Sequence, residues 1–262
     1  MAAPTTSGTV SRARQDERPG EGPVQDGRPG EGPAVAGVPR SELPNWQRPL
    51  VVVAHPDDES FGLGAVLAQF VQRGAAPTVL CFTHGEASTL HGVEGDLREI
   101  RAAELAEAAN LLGLAGIELL EEADGHLGDV APQRLTHAVL ETVGRTDADG
   151  LIAFDLGGVT GHPDHVAATL AAIHAGRASG LPVLGWTLPN AVAHALNGEF
   201  GATFTGRPDH EIHLMLEVSR QTQRDAVRAH PSQAVPGSVL WRRLELLGDH
   251  EHLTWLVPPA TD

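Results

Sequence analysis

The 262-residue chain contains no tyrosine and no lysine, and all 18 of its basic residues are arginines. Phenol acids and lysine Schiff bases are therefore excluded from its chemistry. Cys81 is the single cysteine, which rules out an intramolecular disulfide framework. No apolar run approaches the roughly 18 residues of a membrane span. The N-terminus also lacks the basic-then-apolar pattern of a signal peptide, so a cytoplasmic protein is expected. Positive charge is scarce: 34 acids give a net −16. An acidic surface repels phosphate backbones, so nucleic acid is not an expected partner.

Residues 1–45 differ from the rest. RPGEGP occurs at Arg18–Pro23 and again at Arg28–Pro33, with no hydrophobic periodicity around either copy. Such a segment buries too little apolar area to offset its ordering entropy, and a disordered tail is expected, leaving 46–262 as the folded domain.

From Pro49 the pattern alternates between short apolar runs and amphipathic stretches. Strands are predicted at Leu50–Ala54, Thr78–Phe82, Ile117–Leu120, Leu151–Phe154 and Val183–Trp186. Between them, helices are predicted at Phe61–Gln72, Asp96–Leu112, Pro132–Val143 and Pro163–His174. The long Asp96–Leu112 helix is expected to bury Leu97, Ile100, Leu105, Ala108 and Leu111. Beyond Ala191 the reading gives strands near Ala202–Thr205, Glu211–Met215 and Leu253–Val257, and helices near Glu217–Arg228 and Val239–Leu247. This order predicts an α/β fold, a mainly parallel sheet with helices on both faces and a site at the carboxyl ends of its strands.

Two of the apolar strands run directly into dense polar clusters: His55-Pro56-Asp57-Asp58-Glu59 after the first, and His162-Pro163-Asp164-His165 after Leu151–Phe154. Proline keeps the preceding histidine extended and suits the first position of a helix, so both histidines belong at strand-to-helix corners. Two imidazoles and one carboxylate form the ligand set of an open catalytic zinc site. His55 and Asp58 can converge on one ion, with one of His162 and His165 as a third ligand. The remaining histidine is then free to donate to a developing oxyanion. Asp57 is left as a carboxylate beside the metal, placed to act as a base, and Asp164 can orient a histidine. By contrast, Arg207–His210 has no leading histidine and follows no buried strand; it reads as a surface turn. His250-Glu251-His252 reads as a solvated loop. Gly62-Leu63-Gly64 lacks the third glycine of a dinucleotide fingerprint.

AHPDDE at Ala54–Glu59 together with GHPDH at Gly161–His165 resembles the LmbE-like, or PIG-L, zinc-dependent N-deacetylases. Further matches are Thr83–Glu86, Arg101–Glu104, Asp124–Leu127 and Ala229–Gln233. The resemblance implies a Rossmann-like fold in which His55, Asp58 and His165 hold Zn2+, or another divalent metal such as Fe2+. It implies a metal-bound water attacking an acetamide carbonyl, with Asp57 as base, His162 stabilising the oxyanion and Asp164 supporting it. It also implies a small acylated amino sugar of the N-acetylglucosamine type as substrate, with Arg101, Glu86 and His230 as pocket candidates. A salt bridge from Arg101 to Glu104 on the same helix face suits the spacing equally. Rival readings are an amidase for a larger acyl group or a thiol-conjugate amide, and a metal-stabilised binding protein without turnover. Oligomeric state is not legible in the pattern.

Overall fold

The computed structural model describes residues 39–90 and 92–260. Residues 1–38 of the expected tail lie outside them. Within residues 39–45, Leu43 is buried in the core, and the Arg40 backbone pairs with His213 and Met215.

Strands β1 (Pro49–Val53), β2 (Thr78–Thr83), β3 (Gly116–Glu122), β4 (Gly150–Phe154), β5 (Val183–Thr187), β6 (Leu214–Glu217) and β7 (His250–Val257) form one sheet in the order β3-β2-β1-β4-β5-β7-β6. From β3 to β5 all pairings are parallel, whereas β7 runs antiparallel to both β5 and β6. The mainly parallel sheet expected from the alternation is present, with an antiparallel annex at one edge. The helices are α1 (Asp58–Phe61), α2 (Gly64–Gln72), α3 (Leu97–Leu112), α4 (Pro132–Thr146), α5 (Gly158–Gly161), α6 (Pro163–Ser179), α7 (Asn190–Phe200), α8 (Gln221–Arg228) and α9 (Val239–Leu247).

Successive residues of the central strands enter different cores. Val51, Val53, Ile152 and Phe154 pack with α2 and α3, while Leu50, Val52, Leu151 and Ala153 pack with α4 and α6. Because both faces are dry, these strands are apolar at every position, which is why they read as continuous runs. Strand order reverses between β1 and β4, the topology that opens a crevice beyond their carboxyl ends. Both HPD corners leave the sheet at that crevice.

Several expectations fail toward the C-terminus and on α3. Ala202–Thr205 is a loop, not a strand, and α7 precedes it where no element was predicted. Arg207 is not part of a free surface turn: its guanidinium clasps Asp155 through bonds of 2.5 and 2.6 Å. His250–His252 is not a loop but the start of β7, with Glu251 fully buried. On α3 the buried residues are Arg101, Glu104, Leu105, Ala108, Ala109 and Leu112, and Leu111 is exposed. The apolar stripe misled because two of the inward positions carry charges that serve the site.

Candidate metal centre

The first corner is built by α1. Asp58 turns back over the end of β1, where its Oδ2 accepts the backbone N–H groups of Ala54 (3.2 Å) and His55 (3.0 Å). This folds His55 and Asp58 onto the same side. The second corner is built by α6. Pro163 occupies its first turn and His162 caps it, with Nδ1 accepting the Asp164 N–H at 3.2 Å. That bond leaves the proton of neutral His162 on Nε2. One turn of chain further on, His165 Nδ1 lies 3.0 Å from the Gly158 carbonyl and donates to it, which leaves Nε2 as a ligand atom.

The two corners meet. His165 Nε2 is 3.2 Å from His55 Nδ1 and 3.2 Å from Asp58 Oδ1, and the ligand atoms of His55, Asp58 and His165 all lie within 4.8 Å of one another. His55, Asp164 and His162 satisfy the same distance criterion. The first group fits a divalent cation better. Its Asp58 is anchored by two backbone donors and its His165 has a fixed tautomer, whereas Asp164 is already spent. Its Oδ2 accepts from Gly125 N (2.7 Å) and its Oδ1 from Leu127 N (3.0 Å).

Asp164 also lies 3.4 Å from His55 Nε2, and Asp124 Oδ1 lies 3.0 Å from the same nitrogen. These carboxylates orient His55. The expectation that Asp164 supports the His162 side chain is corrected here: its carboxylate reaches His55 and the 125–127 turn, and only its backbone N–H meets His162. Asp124 was missed as a site residue. Its one sequence signal was its place in the Asp124–Leu127 match.

Asp57 lies in the left-handed region at φ 117°, a costly conformation for a non-glycine residue. Four neighbours enforce it. Glu59 Oε2 accepts the Asp57 N–H at 2.9 Å, the Asp57 carbonyl accepts the Ser60 and Phe61 N–H groups, and Arg101 holds both the Pro56 carbonyl and Asp57 Oδ2, the latter at 3.1 Å. Arg101 Nη1 donates also to Gly85 O at 2.6 Å. Gly85 has φ +65°, and a Cβ there would collide with the guanidinium. The Arg101–Glu104 pair that the spacing allowed does not form. Glu104 instead accepts from Ser232 N and Oγ.

The electrostatics favour a cation at the meeting point. Burial lowers the His55 pKa, but the bonds to Asp124 and Asp164 and the charges of Asp58 and Asp57 outweigh it and push it up to about 10. Burial likewise disfavours protonated His165, yet Asp58 raises its pKa. Burial would raise Asp58, but the charge and bond of His165 and the His55 charge take it below the usual carboxylate range. Asp57 is pushed up to about 6 by burial, with Arg101 opposing. Burial and the two neighbouring imidazoles lower His162.

A cleft of about 550 Å³ opens over the cluster. His55, Asp57, Asp58, Asp124, His162 and His165 form its polar end, and Phe61, Phe154, Val159, Phe204 and Leu240 line an apolar wall. Arg101 reaches the lining. The other two pocket candidates are not among the lining residues. His230 is fully buried, with Nε2 at 2.8 Å from Glu59 Oε1, and props the corner from below. Glu86 Oε1 accepts the Asp124 N–H at 3.2 Å and so holds the β3 loop.

Residues 50–176 match the family model described as PIG-L, GlcNAc-PI de-N-acetylase. A 1D-myo-inositol 2-acetamido-2-deoxy-alpha-D-glucopyranoside deacetylase of Kineococcus radiotolerans is 30% identical over 46% of this chain and 42% of its own length. The "Probable N-acetyl-alpha-D-glucosaminyl L-malate deacetylase 2" of Bacillus anthracis is 29% identical over 81% of this chain and 92% of its own. The chain thus spans about half of the inositol-type relative and nearly all of the other. Among solved structures, the A40926 pseudoaglycone deacetylase Dbv21 superposes with TM-score 0.62 at 20% identity, covering 82% of this chain and 99% of that one. GalB, a 4-carboxy-2-hydroxymuconate hydratase of Pseudomonas putida, reaches 0.62 at 17% identity, covering 82% and 98%. Likeness at that level is one of fold, and the fold hosts more than one reaction. The sequence match over the strands and corners that build the cluster is more specific: residues 50–176, just under half of the chain, match the PIG-L, or LmbE-like, family domain.

Proposed function

We propose that the protein is a metal-dependent hydrolase that removes the N-acetyl group of an N-acetylglucosamine-type amino sugar. The observation that carries this reading is the convergence of His55, Asp58 and His165 at the floor of a cleft that also presents Asp57 and His162. The donor set of two imidazoles and one carboxylate suits zinc with an open position. When bound, the cation supplies Lewis acidity toward water and the amide carbonyl.

The chain's own residues supply the rest. Asp57, with Oδ2 held by Arg101, keeps Oδ1 without a protein partner among the described residues. This oxygen takes the proton of the attacking water and returns it to the leaving amine. His162 presents Nε2–H to the cleft, because Nδ1 is committed to the α6 cap, and donates to the oxyanion as it develops. Asp164 and Asp124 fix the His55 ring, and Glu59 holds the strained Asp57 backbone in register.

The test is acetate release from N-acetyl-α-glucosaminides by zinc-loaded protein. Turnover that stops with a chelator and returns with zinc is expected. No acetate from any such glycoside would overturn the reading. The apolar wall, with Phe154 centred 5.0 Å from the His165 ring, favours a larger acyl group as the second reading. A series of acyl lengths on one sugar separates the two, since deacetylation predicts the highest kcat/KM for acetyl.

A further inference from the structure

Arg243 of α9 lines the same cleft and is only 8% exposed. The other inward-facing arginines of the fold each hold a carboxylate: Arg101 on Asp57, Arg207 on Asp155 and Arg220 on Glu251. Arg243 has no such partner among the described residues. Its guanidinium gives one bond, from Nη2 to the Phe61 carbonyl at 2.5 Å, while Nε is buried without an acceptor. The hydroxyl of Ser238, which precedes α9 and lines the cleft beside it, is also buried and unpartnered.

A buried guanidinium without a counter-ion is costly, and a fold retains one where something else supplies the acceptors. The planar fork of donors matches the paired oxygens of a carboxylate or a phosphate. Position agrees with a role in recognition. The Arg243 guanidinium lies 5.1 Å from the Trp186 ring centre, Trp186 lies 5.6 Å from Phe154, and Phe154 lies 5.0 Å from His165. Arg243 and Phe154 both line the cleft, and the buried Trp186 ring packs against both, which fixes the guanidinium on the same wall as the ring beside His165. The acidic chain repels anions at long range, but this site is a local exception.

We propose that Arg243, with Ser238, is a specificity determinant that selects amino-sugar substrates whose aglycone carries an anionic group, a carboxylate or a phosphate ester. This rests on the deacetylase reading above. The experiment compares three N-acetyl-α-glucosaminides with aglycones of similar size, one neutral, one carboxylate-bearing and one phosphate-bearing. Zinc-loaded protein should show kcat/KM about tenfold or more in favour of an anionic compound, the gain lying in KM. Whether the carboxylate or the phosphate leads identifies the source. Arg243→Met should collapse the ratio toward one, and Arg243→Lys should keep part of it; a merely structural role would lower both values and leave the ratio intact. If Arg243→Met does not fold, Arg243→Lys and Ser238→Ala are read by the same ratio. Equal kcat/KM for all three compounds, or a ratio that survives the Arg243 changes, overturns the proposal and leaves the deacetylase reading standing. If nothing is hydrolysed, the deacetylase reading fails. Calorimetric titration of the three compounds into the Asp57→Asn protein then decides alone: tighter anionic binding supports the role of Arg243, and equal or absent binding overturns it.

Discussion

The strands β1 and β4 end in corners whose polar side chains converge within hydrogen-bond distance, whereas the annex of β6, β7, α8 and α9 sends the cleft mostly supports. His230 props Glu59, Glu251 receives Arg220, and Arg243 stands on the cleft wall. The difference follows from topology. Between β1 and β4 the chain departs in opposite directions, so two loops distant in sequence share one crevice and can share one ion. The annex has no such reversal facing the crevice. It adds His230, which holds Glu59 of the corner, a buried Arg220–Glu251 pair that holds the annex itself, and wall residues of the cleft.

The sharpest way to break this division is to remove a ligand from either corner. His55→Ala or His165→Ala should lose zinc by more than the roughly 10–100-fold typical of outer partners, with turnover at background; equilibrium metal competition measures it. Retained affinity in either variant would dissolve the idea that the corners act together. Asp57→Asn should keep the metal and lose about 10²–10⁴ in kcat. In the unmodified protein, the proposed activity should fall as acid protonates Asp57, with the limb at or below pH 6, since a bound cation lowers the value further.

The annex should respond differently. Glu251 is fully buried, bound by Arg220 Nη1 and by Trp186 Nε1 at 2.6 Å. Glu251→Gln strands the Arg220 charge and should cost about 3–5 kcal/mol in urea unfolding. The metal affinity of the folded fraction should be unchanged. Loss of zinc affinity there would mean that the annex is part of the centre.

Why one half was legible and the other was not has a physical basis. Leu50–Ala54 and Leu151–Phe154 are buried on both faces, so composition alone marks them, and a histidine followed by proline marks the corner that comes next. Asp57 and Asp58 follow from the chemistry that such corners allow, whereas the choice of His165 over His162 as third ligand came only with the family resemblance. Long-range partners leave no local mark. Glu251 reads as solvated because its partner Arg220 lies 31 residues away, and Arg101 and Glu104 read as a pair on one helix face because their actual partners, the Gly85 carbonyl and the Ser232 donors, come from other segments. Asp124 was obscured for the same reason: nothing beside it in sequence announces the His55 ring that it orients.

The smallest expected effect lies on β7. Burial, followed by the His250 charge, lowers His252 to about 4, against about 6.5 for an unperturbed histidine. A histidine kept neutral in the fold contributes stability above the unfolded value, and that contribution is lost as pH falls from about 6.5 toward 4. His252→Phe should therefore narrow the Tm difference between pH 7 and pH 5, and an unchanged difference would place the acid sensitivity elsewhere.

The central claim, that both corners grip a single cation, is tested most directly by X-ray absorption on the zinc-loaded protein. The account predicts two imidazole nitrogens and a carboxylate oxygen at about 2.0–2.2 Å, with one imidazole lost in His55→Ala and one in His165→Ala. A zinc shell containing one imidazole or none in the unmodified protein would contradict it.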